Sequence, residues 1–405
     1  MLTRTPSERP DLIVVGAGVV GAACAYYATR SGLHVTVIDR GPVAGGTTGA
    51  GEGNLLVSDK EPGSELELAL LSAQLWRDLA KELPPAIEYE TKGGVVVAST
   101  EADLTALRGF AAGQQDAGVE AYEVSGDHLA DLEPHLAPGL AGGFHYPQDA
   151  QVQPALAAAH LLRAAADHEQ GRGRLTLRLG EEVTDVLKGP HGEIRGVRTP
   201  TGDILAPRLV NAAGTWGGRI ARLAGVDLPV LPRRGFVLVT EPLPRVVRRK
   251  VYSADYVADV ASGSAALQTS AVVEGTPAGP VLIGASRERV GFDRTLSVEV
   301  LRRLAAQATR LFPVLSGVRA IRTYAGFRPY LPDHLPAIGP DPRVPGLFHA
   351  CGHEGAGIGL APATGLLVAT QLTDSAPPLD PKPFTPDRFT DLPDSTGRTA
   401  EEPTP

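Results

Sequence analysis

Cysteine is almost missing from this 405-residue chain, in which Cys24 and Cys351 are the only two. They make no disulfide framework and stand at no metal-ligand spacing. A stapled secreted fold and a zinc site are therefore excluded, and both read as small core residues of a protein in a reducing cytoplasm. Positive charge is also short: 38 Lys and Arg against 46 Asp and Glu leave a net charge of -8, without the basic face of a nucleic-acid binder. No run approaches the ~18 apolar residues of a membrane span, and the opening "MLTRTPSERPDLIVVGAG" is too polar for a signal peptide. What is present, 43% hydrophobic and 21% charged residues, suits a folded enzyme too long for one ordinary core. Two domains are expected.

Residues 11–40 carry the most specific signal. "DLIVV" reads as a buried strand, "GAGVVG" sets Gly16, Gly18 and Gly21 in the GxGxxG spacing, "AACAYYATRSG" reads as a helix and "HVTVID" as a second strand ending at Asp39. Gly16 permits the tight turn, Gly18 lets backbone approach a pyrophosphate, and Gly21 lets the helix pack on the strand. Unpaired amides at the helix start suit phosphate, and Asp39 suits ribose hydroxyls, with Val20 and Arg40 beside them. This predicts a doubly wound, mostly parallel α/β domain that binds a dinucleotide.

After Asp39 comes "RGPVAGGTTGAGEGNLLVS", a loop of glycine and threonine where another helix and strand would be usual. Here the chain resembles the FAD-dependent family of D-amino acid oxidase, glycine oxidase and sarcosine oxidase. By that resemblance the loop wraps the cofactor with Thr47, Thr48, Gly51, Glu52 and Gly53; Val183 meets the adenine through its backbone; and "LVNAAGTW" sets Gly214 and Trp216 beside it. The late "GLFHACGHEGAGIGLAPATGLLVATQL" reads as strand, glycine loop and helix, bringing Gly352, His353, Glu354, Gly355, Gly357 and Ile358 to the flavin. His353 either touches flavin or caps the loop. With no histidine or cysteine in "GGTTGAGEGN", the FAD is expected to be non-covalent.

The family order implies a discontinuous FAD-binding domain, 10–85, 150–225 and 325–375. An α+β substrate domain on an antiparallel sheet then fills 86–149 and 226–324. "GGVVVAS", "RGFVLVTE", "KVYSADYVADV", "ALQTSAVVE" and "PVLIGASRE" read as its strands, and "SVEVLRRLAAQATRLFP" as a helix packed on them. The proline-rich 376–405 forms a tail whose last ten or so residues are expected to be disordered, while "PFTPDRF" can lie against the body.

"GFRPYLPDHLPAIG" resembles the family's GxRP segment, which crosses the cleft between domains. Arg328 is thereby implied to hold the substrate carboxylate, as a planar fork of donors does and a lysine cannot. Tyr330 shares its face if the segment is extended, and Tyr256 and, more weakly, Tyr324 are further pocket candidates. The resemblance implies oxidative deamination of a small or N-substituted amino acid, of the glycine, sarcosine, D-amino acid or hydroxyproline type. A 2-hydroxy acid or glycerol phosphate dehydrogenase, and a non-catalytic electron-relay subunit, are the alternatives. Gly355 stands where glycine oxidase has a second substrate arginine, so a one-arginine pocket is expected. No lysine lies between 251 and 381, where the sarcosine oxidases keep one for dioxygen. An iron–sulfur or second flavoprotein subunit is then a candidate electron acceptor. The motifs match most nearly the flavoprotein subunits of hydroxyproline dehydrogenase, opine oxidase and hydrogen cyanide synthase.

Overall fold

Leu12–Val15, buried throughout, lies within a six-stranded sheet. The spatial order is Ala337–Pro340, Leu347–Cys351, Leu209–Asn211, Leu12–Val15, Val35–Asp39 and Leu175–Leu179. All neighbours are parallel except the edge Ala337–Pro340. The computed structural model describes residues 9–166, 173–261 and 263–390; the expected disorder at the C-terminus falls outside them. Strand alternation sorts the core. Leu12 and Val14 face the helices Val19–Arg30, Pro154–Ala166 and Gly357–Leu372, whereas Ile13 and Val15 face the other side. That second face is covered by the three-stranded sheet Asp185–Lys188, Ile194–Thr199 and Gly202–Leu205 and the short helix Gly217–Leu223.

The helical stretch Glu354–Leu372 is long and apolar enough to cross a membrane by length and composition, with mean hydropathy 1.3 in its most apolar window, yet 61% of that window is buried inside the molecule. Its role is packing. A Cβ on Gly365 would lie 2.6 Å from the Ala23 carbonyl, so the glycine lets this helix touch Val19–Arg30 backbone to side. Ser72 Oγ and Trp76 Nε1, on helix Ser64–Glu82, donate to the carbonyls of Gly359 (2.6 Å) and Ile358 (3.0 Å). These bonds fix where the helix begins, and that beginning faces the cavity described below.

An eight-stranded sheet forms the second layer, in the order Ala320–Tyr330, Leu231–Thr240, Val281–Arg287, Gln268–Gly275, Lys250–Ser253, Gly94–Ala98, Gly142–Tyr146 and Tyr122–Ser125. One pair, Lys250–Ser253 with Gly94–Ala98, is parallel and the rest antiparallel. Helix Val298–Leu311 buries Val300, Leu304, Ala308 and Leu311, spaced on one face, against Phe236, Leu238 and Ile283. The alternate residues Gly235 and Val237 turn toward the first sheet.

Two expectations change. "KVYSADYVADV" is a strand only through Ser253, and Ala254–Ala261 is a helix; its alanines and first-turn Asp255 favour that state once the strand's edge is reached. The boundary expected at 325 falls inside Ala320–Tyr330, whose whole length pairs with Leu231–Thr240. Arg328 is thus carried by the second sheet. In the tail, Phe384 and Phe389 are buried against the body.

Candidate active site

The turn after Leu12–Val15 is built by close contact. Gly16 has φ +116°, and a Cβ there would meet the Ala212 carbonyl oxygen at 2.3 Å, so the ends of two neighbouring parallel strands touch through it. A Cβ on Gly21 would meet Gly16 O at 1.9 Å, which seats the helix on the turn. Thr48 Oγ1 accepts from Val19 N–H at 3.0 Å at the helix start. Asp39 accepts from Ala17 N–H (2.7 Å) with one oxygen and Gly41 N–H (2.8 Å) with the other. Each oxygen keeps a lone pair for a ribose hydroxyl. The Arg40 guanidinium lies 4.1 Å over the Trp216 ring, which stacks on Phe292.

From this turn one cavity of ≈ 330 Å³ runs between the layers to Arg328. Along it stand Gly16, Gly18, Val20, Asp39, Arg40, Thr47, Thr48, Gly51, Glu52, Val183, Gly214 and Trp216, and then His353, Glu354, Gly355, Gly357, Ile358 and Tyr256. The fit to an extended dinucleotide is chemical as well as spatial: bare glycine backbone and helix starts at one end, a buried polar chamber at the other. Five expected residues stay behind the wall, among them Tyr324, whose hydroxyl donates to Gly51 O at 3.4 Å. Gly21 serves the turn. Gly53 lets its loop meet Val152, whose carbonyl oxygen a Cβ would approach to 1.8 Å, and Gly352, at φ +85°, makes room for Leu331. Tyr330 is buried outside the cavity lining, its ring between the Arg233 (5.6 Å) and Arg289 (5.1 Å) guanidiniums with His334 edge-on.

The loop after Leu347–Cys351 is locked by polar contacts. His353 Nε2 meets Thr364 Oγ1 at 3.0 Å, and burial pushes the imidazole down to about 3, so it is neutral and ties the loop to its helix. Glu354, at φ +47°, pairs with Arg233 across the layers and meets His334 Nδ1 at 3.1 Å. Burial raises its carboxyl, but His334, Arg233 and Arg287 outweigh that and hold it down to about 2. Thr47 Oγ1 donates to Phe327 O at 2.6 Å, a second tie between the layers. Cys351 is buried, its thiol pushed up to about 12 by desolvation.

Arg328 lies over bare backbone. Its Nη1 donates to Ser286 O at 2.8 Å, and a Cβ on the intervening Gly235 would fall 2.2 Å from Nη1. Gly355 fits more loosely: its would-be Cβ lies 3.5 Å from Arg328 Cδ, an ordinary van der Waals contact. Burial, and then the neighbouring Arg287, lowers Arg328 to about 10. Opposite, Glu52 accepts from Asn54 Nδ2 at 3.2 Å through one oxygen, while the other, Oε1, is buried without a partner among the described residues. Burial raises this carboxyl against the pull of Lys250 and Arg328. Lys250, one residue short of the window that holds no lysine, is buried and paired with Glu274 at 2.7 Å.

Sequence reasoning missed three residues here. Gly235 and Arg233 sit in the anticipated strand "RGFVLVTE" or beside it, but their facing depends on the sheet. Arg287 is buried outside the cavity lining, with its guanidinium 4.7 Å over the ring of Tyr256, which does line it.

Comparison with known proteins agrees with this geometry. The family model described as FAD dependent oxidoreductase (DAO) matches residues 11–371. Glycine oxidase of Pseudomonas aeruginosa is 30% identical over 94% of this chain and 99% of its own length. Hydrogen cyanide synthase subunit HcnC of the same organism is 29% identical over 94% and 96%. The crystal structure of glycine oxidase from Geobacillus kaustophilus superposes with TM-score 0.84 at 28% identity, over 94% of this chain and 99% of that one. With its nucleotide turn, flavin loop and arginine-bearing cleft in family order, the chain belongs to the DAO family of FAD-dependent oxidoreductases and binds FAD non-covalently.

Proposed function

We propose that the enzyme oxidises the carbon–nitrogen bond of a small amino acid or N-substituted amino acid to an imine, which water hydrolyses. Arg328 is the observation that carries this reading. Its side chain is half-buried in the cavity and its guanidinium is bonded only to a backbone carbonyl, with no carboxylate at ion-pair distance among the described residues. A planar carboxylate satisfies such a fork bidentately. Anchored there, the substrate's α-carbon is directed along the cavity, where bound FAD supplies the hydride acceptor.

The remaining work belongs to the chain. An amine loses hydride only when its nitrogen is neutral, and Glu52, with one oxygen unpartnered in the same cavity, is suited to take the ammonium proton. The start of helix Gly357–Leu372 presents amides and a positive dipole end where negative charge gathers on reduction. The contacts of Thr47 with Phe327 and of Glu354 with Arg233 tie the two layers together beside the chamber. Lys250 ends in an ion pair with Glu274 instead of lining the cavity. That arrangement, and a relative named as a subunit of hydrogen cyanide synthase, favours a partner protein over dioxygen as electron acceptor.

Arg328→Ala and Arg328→Lys test the anchor. Both should keep FAD and lose ~30-fold or more in kcat/KM, since removing one partner of a buried charge pair costs roughly 2–5 kcal/mol. Unchanged turnover in either would remove Arg328 from the substrate site.

A further inference from the structure

Lys250 and Glu274 form an ion pair that lies inside the molecule, their side chains 2% and 1% exposed and Nζ 2.7 Å from Oε2. Pairing of Val251 with Val273 sets the two residues opposite each other on neighbouring strands. The alternation of those strands decides where they point. Val251 and Val273 pack with helix Val298–Leu311, whereas Tyr252 and Val272 pack toward the first sheet, and Lys250 and Glu274 share that second side. A buried ion pair adds little to stability, because the desolvation of two charges offsets their attraction. This one sits beside a carboxylate that the proposed reaction uses.

Glu52 stands over the same face. Gly284 pairs with Val272, and a Cβ on Gly284 would lie 2.6 Å from Glu52 Oε1, so this carboxylate rests on bare backbone. Glu274 is two residues on from Val272, which puts Gly284 and Glu274 about 8 Å apart on one surface. Burial pushes the Glu52 carboxyl up; Lys250 is the strongest charge opposing that, Glu274 adds to it, and Arg328 and the Asn54 N–H oppose it more weakly. Burial also works against the Lys250 ammonium, but Glu274 and then Glu52 outweigh it and hold its ionisation above the ordinary value, so it stays charged. The phenols nearby stay neutral: burial pushes up Tyr256, which lines the cavity, and Tyr324, bonded to Gly51 O. Lys92, the next cation beyond Glu274, donates to Gly275 O at 2.6 Å.

We propose that Lys250 is a positioning residue for the oxidation: held by Glu274 beneath the cavity lining, its charge favours the carboxylate form of Glu52, the form that takes the substrate's ammonium proton. The inference rests on the role given to Glu52 above. In that step an N–H bond of the ammonium breaks, its electron pair stays on nitrogen, and the proton joins a Glu52 oxygen; the neutral amine then gives its α-hydride to FAD. The bond to Glu274 explains how one ammonium can act on Glu52 without blocking it. Lys250 is at ion-pair distance from Glu274 and not from Glu52, so Glu52 Oε1 keeps its lone pairs for the substrate.

Substitutions at the two ends of the pair should move Glu52 in opposite directions, which a merely structural pair would not do. Lys250→Met removes the cation and disfavours the carboxylate, so the rising limb of kcat/KM on the best amine should move about one pH unit higher. Glu274→Gln removes the opposing anion and should move it lower, while Lys250→Arg should restore the wild-type position. The ionisation of Glu52 is read independently in infrared difference spectra of the holoenzyme against pH, from the protonated-carboxyl band that Glu52→Gln lacks. Its midpoint should shift with the same signs. Should Lys250→Met fail to fold with Glu274 left unpaired, the double variant Lys250→Met, Glu274→Gln removes both charges and should still shift both readouts upward, by less, since Lys250 outweighs Glu274 at Glu52. Unmoved limbs and midpoints, or shifts of the same sign in the two single variants, would overturn the proposal. A midpoint that moves as expected beneath an unmoved rate profile would sink the proton-accepting role of Glu52 and leave its link to Lys250 standing.

Discussion

Gly235→Ala adds one methyl group at the point where Arg328 crosses the sheet. The new Cβ would lie 2.2 Å from Arg328 Nη1 and 2.6 Å from Ser286 O. A comfortable contact needs about 3.5 Å, so the guanidinium must retreat by about 1.3 Å. The Ser286 carbonyl, being backbone, can give little. Retreat breaks the 2.8 Å bond to that carbonyl and moves the carboxylate fork. Displacement of an anchored substrate by about 1 Å costs roughly 100-fold in rate, and overpacking of the sheet costs about 1–3 kcal/mol of stability. The nucleotide turn is at the other end of the cavity, so FAD content should be unchanged. Purified variant and wild type are compared by flavin absorbance, thermal unfolding and kcat/KM on the best amine. The expected result is full FAD, a modest fall in Tm and a loss of about 100-fold in kcat/KM. Full turnover in a protein with lowered Tm would refute the reasoning, because it would show that Arg328 can leave this place without consequence.

Glu52→Gln should shift the pH profile of kcat/KM to higher pH, its rising limb following the substrate amine's own ionisation, because the cavity no longer holds an acceptor for the ammonium proton; a uniformly lowered, unshifted profile would contradict this role. Glu354→Gln should destabilise the fold at pH 7 by roughly 3 kcal/mol, as the buried Arg233 loses the charge of the Glu354 carboxylate. The folded carboxyl is held below its ordinary 4.5, at about 2, so its contribution is complete above 4.5 and is lost as pH falls toward 2. Unfolding curves of the two proteins should therefore converge as the medium is acidified below 4.5, and a gap that stays constant with pH would count against the linkage.

The nucleotide end was legible because its geometry is local. Gly16 and Gly21 are demanded by contacts within one turn and its neighbouring strand, and the strand–helix–strand order around them is a matter of consecutive residues. The flavin loop was readable for the same reason, although the sequence left open whether His353 touches the cofactor or caps the loop, where its Nε2 meets Thr364 Oγ1. Substrate-side facing was not. Tyr330 and Arg328 do share a face of Ala320–Tyr330, yet Arg233, brought opposite Arg328 by sheet pairing, and Arg289 enclose the tyrosine ring. Arg287 ended an anticipated strand, but nothing in "PVLIGASRE" tells that Tyr256, on a helix expected as strand, covers it. Lys250 shows how little separates these outcomes: one residue outside the expected window, its charge sits beside Glu52 but is held by Glu274.

The central claim is that Arg328 presents an amino acid's α-carbon to the flavin. Anaerobic mixing of the yellow holoenzyme with a panel of amino acids, N-substituted amino acids, dicarboxylic amines, 2-hydroxy acids and glycerol phosphate, followed at the flavin's visible absorbance, tests it most directly. Bleaching by carboxylate-bearing amines, slowed in Arg328→Lys, is the predicted result. Bleaching by hydroxy acids or glycerol phosphate alone, or by nothing in the panel, would contradict it.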